Sequence, residues 1–216
     1  MQRLLFLLVL CLLPALATAS PARYRLDPVH TRVLFAIEHA GFSHALGTVS
    51  GSEGELLFDP DDWTTARLQV SIPLTRLDLG DAKWNQAALA RNLLDGERYP
   101  QAQFVSTRIE AIDPRHANVT GQLTLHGVTR DVTLAVTLNA LKRHPLPPFR
   151  RTAGFSATAT LSRAAFGIDA WKSLIGDEVQ LRIEVEATRE GGGETDEGPS
   201  PVPATPSSNP PQEPAP

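Results

Sequence analysis

Between Val29 and Ala187 the chain holds eight short segments in which apolar and polar residues alternate, with the apolar members of each on one parity. Val33, Phe35 and Ile37 alternate with Arg32, Leu34, Ala36 and Glu38, then Leu56 and Phe58 with Glu55, Leu57 and Asp59, and Leu68, Val70 and Ile72 with Arg67, Gln69 and Ser71. A fourth segment runs from Phe104 to Ile109, and a fifth carries Val119, Leu123 and Leu125. Val132, Leu134, Val136 and Leu138 form a sixth against Asp131, Thr133, Ala135 and Thr137. Phe155, Ala157, Ala159 and Leu161, then Val179, Leu181, Ile183, Val185 and Ala187, complete the set. Alternation with period two predicts antiparallel strands with one oily and one wet face. No long helix is predicted to cover the oily face, so the sheet must bury it against itself, as a closed barrel or a sandwich.

Turn residues stand where the alternation stops: Asp59-Pro60-Asp61-Asp62, Asp113-Pro114 and His126-Gly127. Short hairpins of this kind predict an up-and-down meander. The longest break lies between the third and fourth segments, where Asp81 can cap a helix. Trp84, Ala88, Leu89, Asn92 and Leu93 recur there at helical spacing, ending near Asp95-Gly96. A second irregular stretch, Arg163 to Asp177, carries Phe166, Trp171, Leu174 and Ile175. Large apolar residues in these connections serve either as a lid over an open barrel end or as a cap on its core.

The ends differ from the middle. Arg3, the apolar run Leu4 to Leu13 and Ala17-Thr18-Ala19 have the layout of a cleaved signal peptide over residues 1–19, which implies export and a periplasmic or secreted location. Ten apolar residues fall short of the roughly 20 that cross a bilayer as helix, so the protein is not expected to be embedded in a membrane. The single cysteine, Cys11, sits inside that run, which leaves the mature chain without disulfides or thiolate chemistry. Residues 20–190 suffice for one domain held by its core. From Gly191 the composition turns to Pro, Glu, Ser, Thr and Gly, and 191–216 cannot build a core. With net charge −4 and basic residues scattered on outward positions, nucleic acid is not an expected partner.

Catalytic patterns do not assemble. There is no glycine-rich phosphate cradle, no arguable Ser-His-Asp set and no inward pair of carboxylates. The histidines are the remaining cluster: His39 shares parity with Phe35 and Ile37 and, with His30 or His44, could ligate a metal. The tight two-apart or four-apart spacing of a metal site is missing, however, so His39 also reads as a polar group near a barrel end.

Several strings, in order, resemble the YceI-like family of exported, polyisoprenoid-binding proteins. Tyr24-x-x-Asp27-x-x-His30-Thr31-x-Val33-x-Phe35-x-Ile37-x-His39 is similar to its opening strand, Gly54-x-x-x-Phe58-Asp59 to its second hairpin, and Tyr99-Pro100-x-x-x-Phe104-x-Ser106 to the start of its fourth strand. The run Val119 to Thr129 resembles its central hairpin, and Ser162-Arg163-x-x-Phe166-Gly167-Ile168 with Gly176-Asp177-x-Val179-x-Leu181 its closing pair. The resemblance spans Tyr24 to Ala187. It implies an all-β, eight-stranded antiparallel lipocalin-like barrel with a short helix between the third and fourth strands, and an apolar cavity for a polyisoprenoid or similar long amphiphile, without catalysis and with no cofactor. Trp84-Asn85 and Leu93-Leu94 depart from the charged Arg-Asp pair and the aromatic pair common in the family, which bears on chain length and head-group preference.

The resulting expectation is a lipid carrier or store. Phe35, Ile37, Leu56, Phe58, Val70, Ile72, Phe104, Leu123, Leu134, Phe155 and Ile183 would line the cavity, though each also reads as ordinary core. Trp84, Leu89, Phe166 and Trp171 are assigned to the mouth, with His39 or Arg163 meeting the polar end. Two rival readings remain open: a metal- or haem-associated redox accessory built on histidines, and an interaction module with a packed interior whose tail binds the partner. A homodimer through an exposed strand or the barrel rim is compatible with the pattern.

Overall fold

A computed structural model describes residues 20–191, so the signal segment and the Pro-rich tail lie outside the described residues. Eleven strands form one antiparallel sheet: β1 (Ala22–Leu26), β2 (Arg32–His39), β3 (Ser43–Ser50), β4 (Glu53–Phe58), β5 (Arg67–Pro73), β6 (Leu77–Asp78), β7 (Gln101–Asp113), β8 (His116–Leu125), β9 (Val128–Arg143), β10 (Arg151–Ser162) and β11 (Ile175–Arg189). Eight of them, in the order β1-β4-β5-β7-β8-β9-β10-β11, close into a barrel because β1 also pairs with β11, Tyr24 opposite Arg189 and Leu26 opposite Ala187. Closure removes the exposed sheet edges that an open arrangement would leave.

The count of eight agrees with the alternation, but the membership of the ring differs. Its closing strand is β1, whose five residues are too short to stand out by period. The segment Arg32–His39 instead lies end to end with β1 along the same neighbour, pairing with β11 from Glu184 to Ile175. Between them the chain bulges at Asp27, whose carboxylate accepts the N–H groups of Val29 and His30. β3, unheralded by the pattern, returns from β2 through a three-residue connection, Ala40 to Phe42, in which Ala40 at φ 53° and Gly41 at φ 72° take the left-handed conformation and Phe42 N–H donates to His39 O at 3.1 Å. β3 then meets β6 through Val49 opposite Leu77.

The one α-helix among the described residues, α1 (Ala82–Ala88), is shorter than its spacing predicts. Asp81 caps it by accepting from Lys83 N–H at 2.9 Å and Trp84 N–H at 3.1 Å. After Leu89 the chain turns instead of continuing, and Gly96 N–H donates to Leu89 O at 2.9 Å. The segment from β6 through α1 to Leu94 completes the upper wall beside β3.

One end of the tube is sealed. Phe58, Trp63 and Phe155 pack edge to face there, with ring centroids 5.1 Å (Phe58–Trp63) and 5.4 Å (Phe58–Phe155) apart, among Tyr24, Leu26, Leu138, Ala153 and Ala187. The middle of the tube is not filled in the same way, and two glycines supply a reason. Gly47 stands opposite Phe35, and a Cβ there would lie 2.6 Å from Phe35 Cε1, so the ring lies against the wall over the glycine. Gly121 plays the same part beneath Phe104, where a Cβ would come 2.5 Å from Phe104 Cζ. Two rings that would otherwise project inward are thereby laid along the wall.

Candidate functional site

The space so left is a cavity of about 480 Å³ running down the barrel. Its walls come from inward positions of all the long strands, and its surface is almost wholly carbon. Phe35 and Ile37 of β2, Leu56 and Phe58 of β4, Val70 and Ile72 of β5, Phe104 of β7, Leu123 of β8, Leu134 of β9, Phe155 of β10 and Ile183 of β11 all line it. The inward parity read from the sequence therefore lands on the wall of a hollow lumen, with Phe58 and Phe155 also packing its closed end.

The open end lies at Glu38, His39, Trp84, Ala87 and Ile175, of which all but Ile175 are exposed to solvent. The rings of His39 and Trp84 meet there with centroids 5.4 Å apart and an interplanar angle of 39°. Phe166 lines the cavity from the β10–β11 connection and is buried.

Two of the residues assigned to the mouth lie outside the cavity lining. Leu89 does not line the cavity; it ends α1 and packs where Gly96 comes close, with a Cβ on that glycine reaching 3.0 Å from Leu89 Cδ2. Trp171 is also outside the lining and is 57% exposed, on a turn where its φ is 59°.

Arg163 touches the cavity, yet its guanidinium is spent elsewhere. At 6% exposure it donates from Nε to Gly176 O, from Nη1 to Ile168 O and Ala170 O, and from Nη2 to Ile175 O, each at 2.8 Å. A fork with its donors aimed at main-chain carbonyls stitches the mouth loop together and presents a carbon stem to the lumen. Asp177 holds the same loop from the other side: its carboxylate accepts Ala164 N–H at 2.9 Å and its carbonyl accepts Arg163 N–H at 2.9 Å. Hydrogen bonds from the Ser162 side chain and from Ala164 N–H keep its carboxyl below the ordinary range.

The histidines do not converge. His39 faces the mouth opposite Ser43, whereas His44 pairs with Glu38 on the other face of the same hairpin. His30 stands in the turn before β2, whose seven steps from Arg32 to His39 span roughly 23 Å at a strand's rise per residue. There it donates from or accepts at Nδ1 2.8 Å from Asp27 Oδ2, with Glu186 3.9 Å away. Those three donors lie within 4.8 Å of one another on the outside of the barrel, and the ring–carboxylate hydrogen bond accounts for their geometry without a metal.

Sequence reasoning missed the upper wall. Leu77 of β6, Ala87 and Ala88 of α1, and Leu79, Leu93 and Leu94 of the chain beside them line the cavity. Their only signal was being apolar within a connection, which served equally for a lid or a cap. Ala45 and Val49 of β3 line it too, hidden by the outward Leu46 that breaks the alternation.

Comparison with known proteins fixes the lineage. The profile of the YceI-like domain matches residues 24–187, essentially the whole barrel. The chain belongs to the YceI-like family. A UPF0312 protein of Pseudomonas putida strain W619 is 33% identical over 174 residues, covering 80% of this chain and 89% of the relative. A UPF0312 protein of Pseudomonas syringae pv. tomato is 34% identical over 152 residues, 69% of this chain and 78% of the relative. Among solved structures, BcnA of Burkholderia cenocepacia superposes with a TM-score of 0.68 at 28% identity, over 76% of this chain and 99% of that one. A polyisoprenoid binding domain from Saccharophagus degradans, implicated in plant cell wall breakdown, shares the fold with a TM-score of 0.56 at 16% identity, over 78% of this chain and 99% of that domain. Among the described residues of this YceI-like chain, no helix is long and apolar enough to cross a membrane.

Proposed function

We propose that this YceI-like protein is an exported, non-catalytic lipid-binding protein that takes the chain of a polyisoprenoid or comparable long amphiphile into its barrel. The observation that carries this reading is the continuous carbon-lined lumen, closed at the Phe58–Trp63–Phe155 end and open at His39 and Trp84. At the roughly 30 Å³ that a water-sized group occupies, such a volume has room for about 16 carbon-sized groups. Burying ten methylenes contributes roughly 8 kcal/mol before association costs, enough for useful affinity from apolar contact alone.

The polar end of the ligand belongs at the mouth. Four of the five Arg163 N–H donors are held by main-chain carbonyls, so a slender chain enters tail first and leaves its head near His39 and Trp84. The fold shared with a polyisoprenoid binding domain supports the class of ligand, and the apolar N-terminal segment followed by Ala17-Thr18-Ala19 supports export.

The test is to extract the purified protein with organic solvent and identify the released lipid by mass spectrometry, then to titrate the stripped protein with isoprenoid alcohols and fatty acids of graded length. Affinity should rise with each added methylene and level off once the lumen is full. A protein that neither carries nor takes up any long chain overturns the proposal.

A further inference from the structure

Four large apolar side chains stand out of the protein around the open end of the barrel: Phe42 at 91% exposure, Trp171 at 57%, Leu174 at 46% and Trp84 at 45%. They come from three separate segments, the β2–β3 turn, the β10–β11 connection and α1, yet short contacts bind these into one rim. Trp84 rests against His39, which stands opposite Ile175 in the sheet. Ala40 N–H donates to Leu174 O at 2.7 Å, and Leu174 N–H donates to Trp171 O at 2.9 Å. His39, Trp84 and Ile175 themselves border the opening.

Two residues of this rim stand in unusual backbone conformations. Trp171 sits at φ 59° and Ala40 at φ 53°, a region unfavourable for a bulky residue and for one without a short polar side chain. Packing a tryptophan inward would be the ordinary outcome for so large an apolar ring. Here a strained turn instead presents it to solvent, beside the mouth of a carbon-lined lumen.

We propose that this rim docks the barrel, mouth down, on the surface of a neutral phospholipid bilayer. The proposal rests on the reading of the lumen as a hydrocarbon-chain site, since a chain passing between bilayer and barrel would otherwise expose its methylenes to water. Separate knobs on loop tips suit a fluid interface. A second copy of the chain would instead need a matched surface of about 800 Å² on each partner. Tryptophan, with an apolar body and one N–H, belongs at the level of lipid head groups, and phenylalanine and leucine below it. Charges around the rim are of both signs: Lys172 pairs with Asp169 at 3.1 Å, and Lys83 stands on α1 while Glu38 and Asp177 stand near the opening. Apolar insertion, and not attraction to anionic lipid, is therefore the driving term.

The experiment mixes the full chain, in the form in which it is purified, with phosphatidylcholine vesicles and reads flotation together with tryptophan emission. The expected result is co-flotation with a blue shift, little changed by added salt. A Phe42→Ser, Trp171→Ser double variant with the same termini should lose at least about tenfold in partitioning. Its melting temperature and its uptake of a fluorescent fatty acid from solution should be preserved, because both side chains lie outside the core and the lumen. Equal partitioning of variant and parent overturns the rim, as does a blue shift that arises without vesicles through self-association. Chain uptake is read separately on the parent protein, so its failure would overturn the proposed function while the vesicle comparison still decides the rim.

Discussion

A single methyl group should narrow the cavity. Gly47 is the wall beneath the Phe35 ring, and the atoms that a new Cβ would meet are Phe35 Cε1 at 2.6 Å and Leu79 Cδ2 at 2.9 Å, both far ends of movable side chains. In Gly47→Ala the ring must swing off the wall, and the only free space beside it is the lumen. If it displaces about three of the methylenes that a bound chain would bury, binding weakens by roughly 2.4 kcal/mol, about fifty-fold in Kd. Stability should scarcely change: an off-minimum ring costs of order 0.5–1.5 kcal/mol, while alanine in place of a strand glycine returns about 0.4–1 kcal/mol by restricting the unfolded chain. Isothermal titration with a long-chain alcohol, beside urea unfolding of the same variant, separates the two effects. Unchanged affinity in a protein of unchanged stability would refute the argument that glycine under a ring is what keeps this barrel hollow.

Arg163→Met leaves four carbonyls without their donor and should destabilise the fold by about 3 kcal/mol, as bonds to a buried charged group do when one partner goes. Affinities for anionic and neutral chain ligands should fall by one common factor, and a loss confined to the anionic ligand in calorimetric titrations would restore Arg163 to head-group contact. Phe58→Ala removes the hub of the sealed end and should cost about 3–5 kcal/mol in denaturant unfolding; a cost under about 1 kcal/mol would show that end to be loosely packed. The Asp27–His30 pair gives a pH dependence of both signs. The hydrogen bond and charge of Asp27, with Glu186 behind it, raise the His30 pKa, so its contribution is present below the ordinary histidine value and is lost as pH rises through the raised one. Burial pushes the Asp27 carboxyl up, but bonds from the His30 ring and from Val29 and His30 N–H carry it net below the ordinary range. Its contribution is thus present above the usual carboxylate value and is lost as pH falls through the lowered one. Melting temperature measured against pH should therefore hold a plateau between the usual carboxylate and usual histidine values and decline beyond them, and Asp27→Asn should flatten the decline on its alkaline side. An identical profile in the variant would count against the pair.

Much of the site was legible because period-two alternation reports which face a strand residue takes. Phe35, Ile37, Val70, Phe104, Leu134 and Ile183 share a side in the sequence and share the cavity in the structure. Less was legible in the connections. Leu89 and Trp171 carry the same apolar character as Trp84 and Phe166, and only the folded chain separates them: α1 stops at Ala88, leaving Leu89 against Gly96, and Trp171 stands exposed on a turn at positive φ. Arg163 likewise reads as a cation near a mouth until the positions of the carbonyls of Gly176, Ile168, Ala170 and Ile175 are known.

The sequence by itself determined the class of fold, the inward face of most long strands, the cap of the helix and the family, because each is written in neighbours a few residues apart. The tertiary structure alone decided that β1 and not β2 closes the ring, that the mouth is framed by three distant segments, and above all that the barrel is hollow. Whether inward apolar residues meet in the middle depends on where each ring comes to rest. Here that place is set by Gly47 across from Phe35 and Gly121 beside Phe104, contacts between strands that no local pattern of hydrophobicity records.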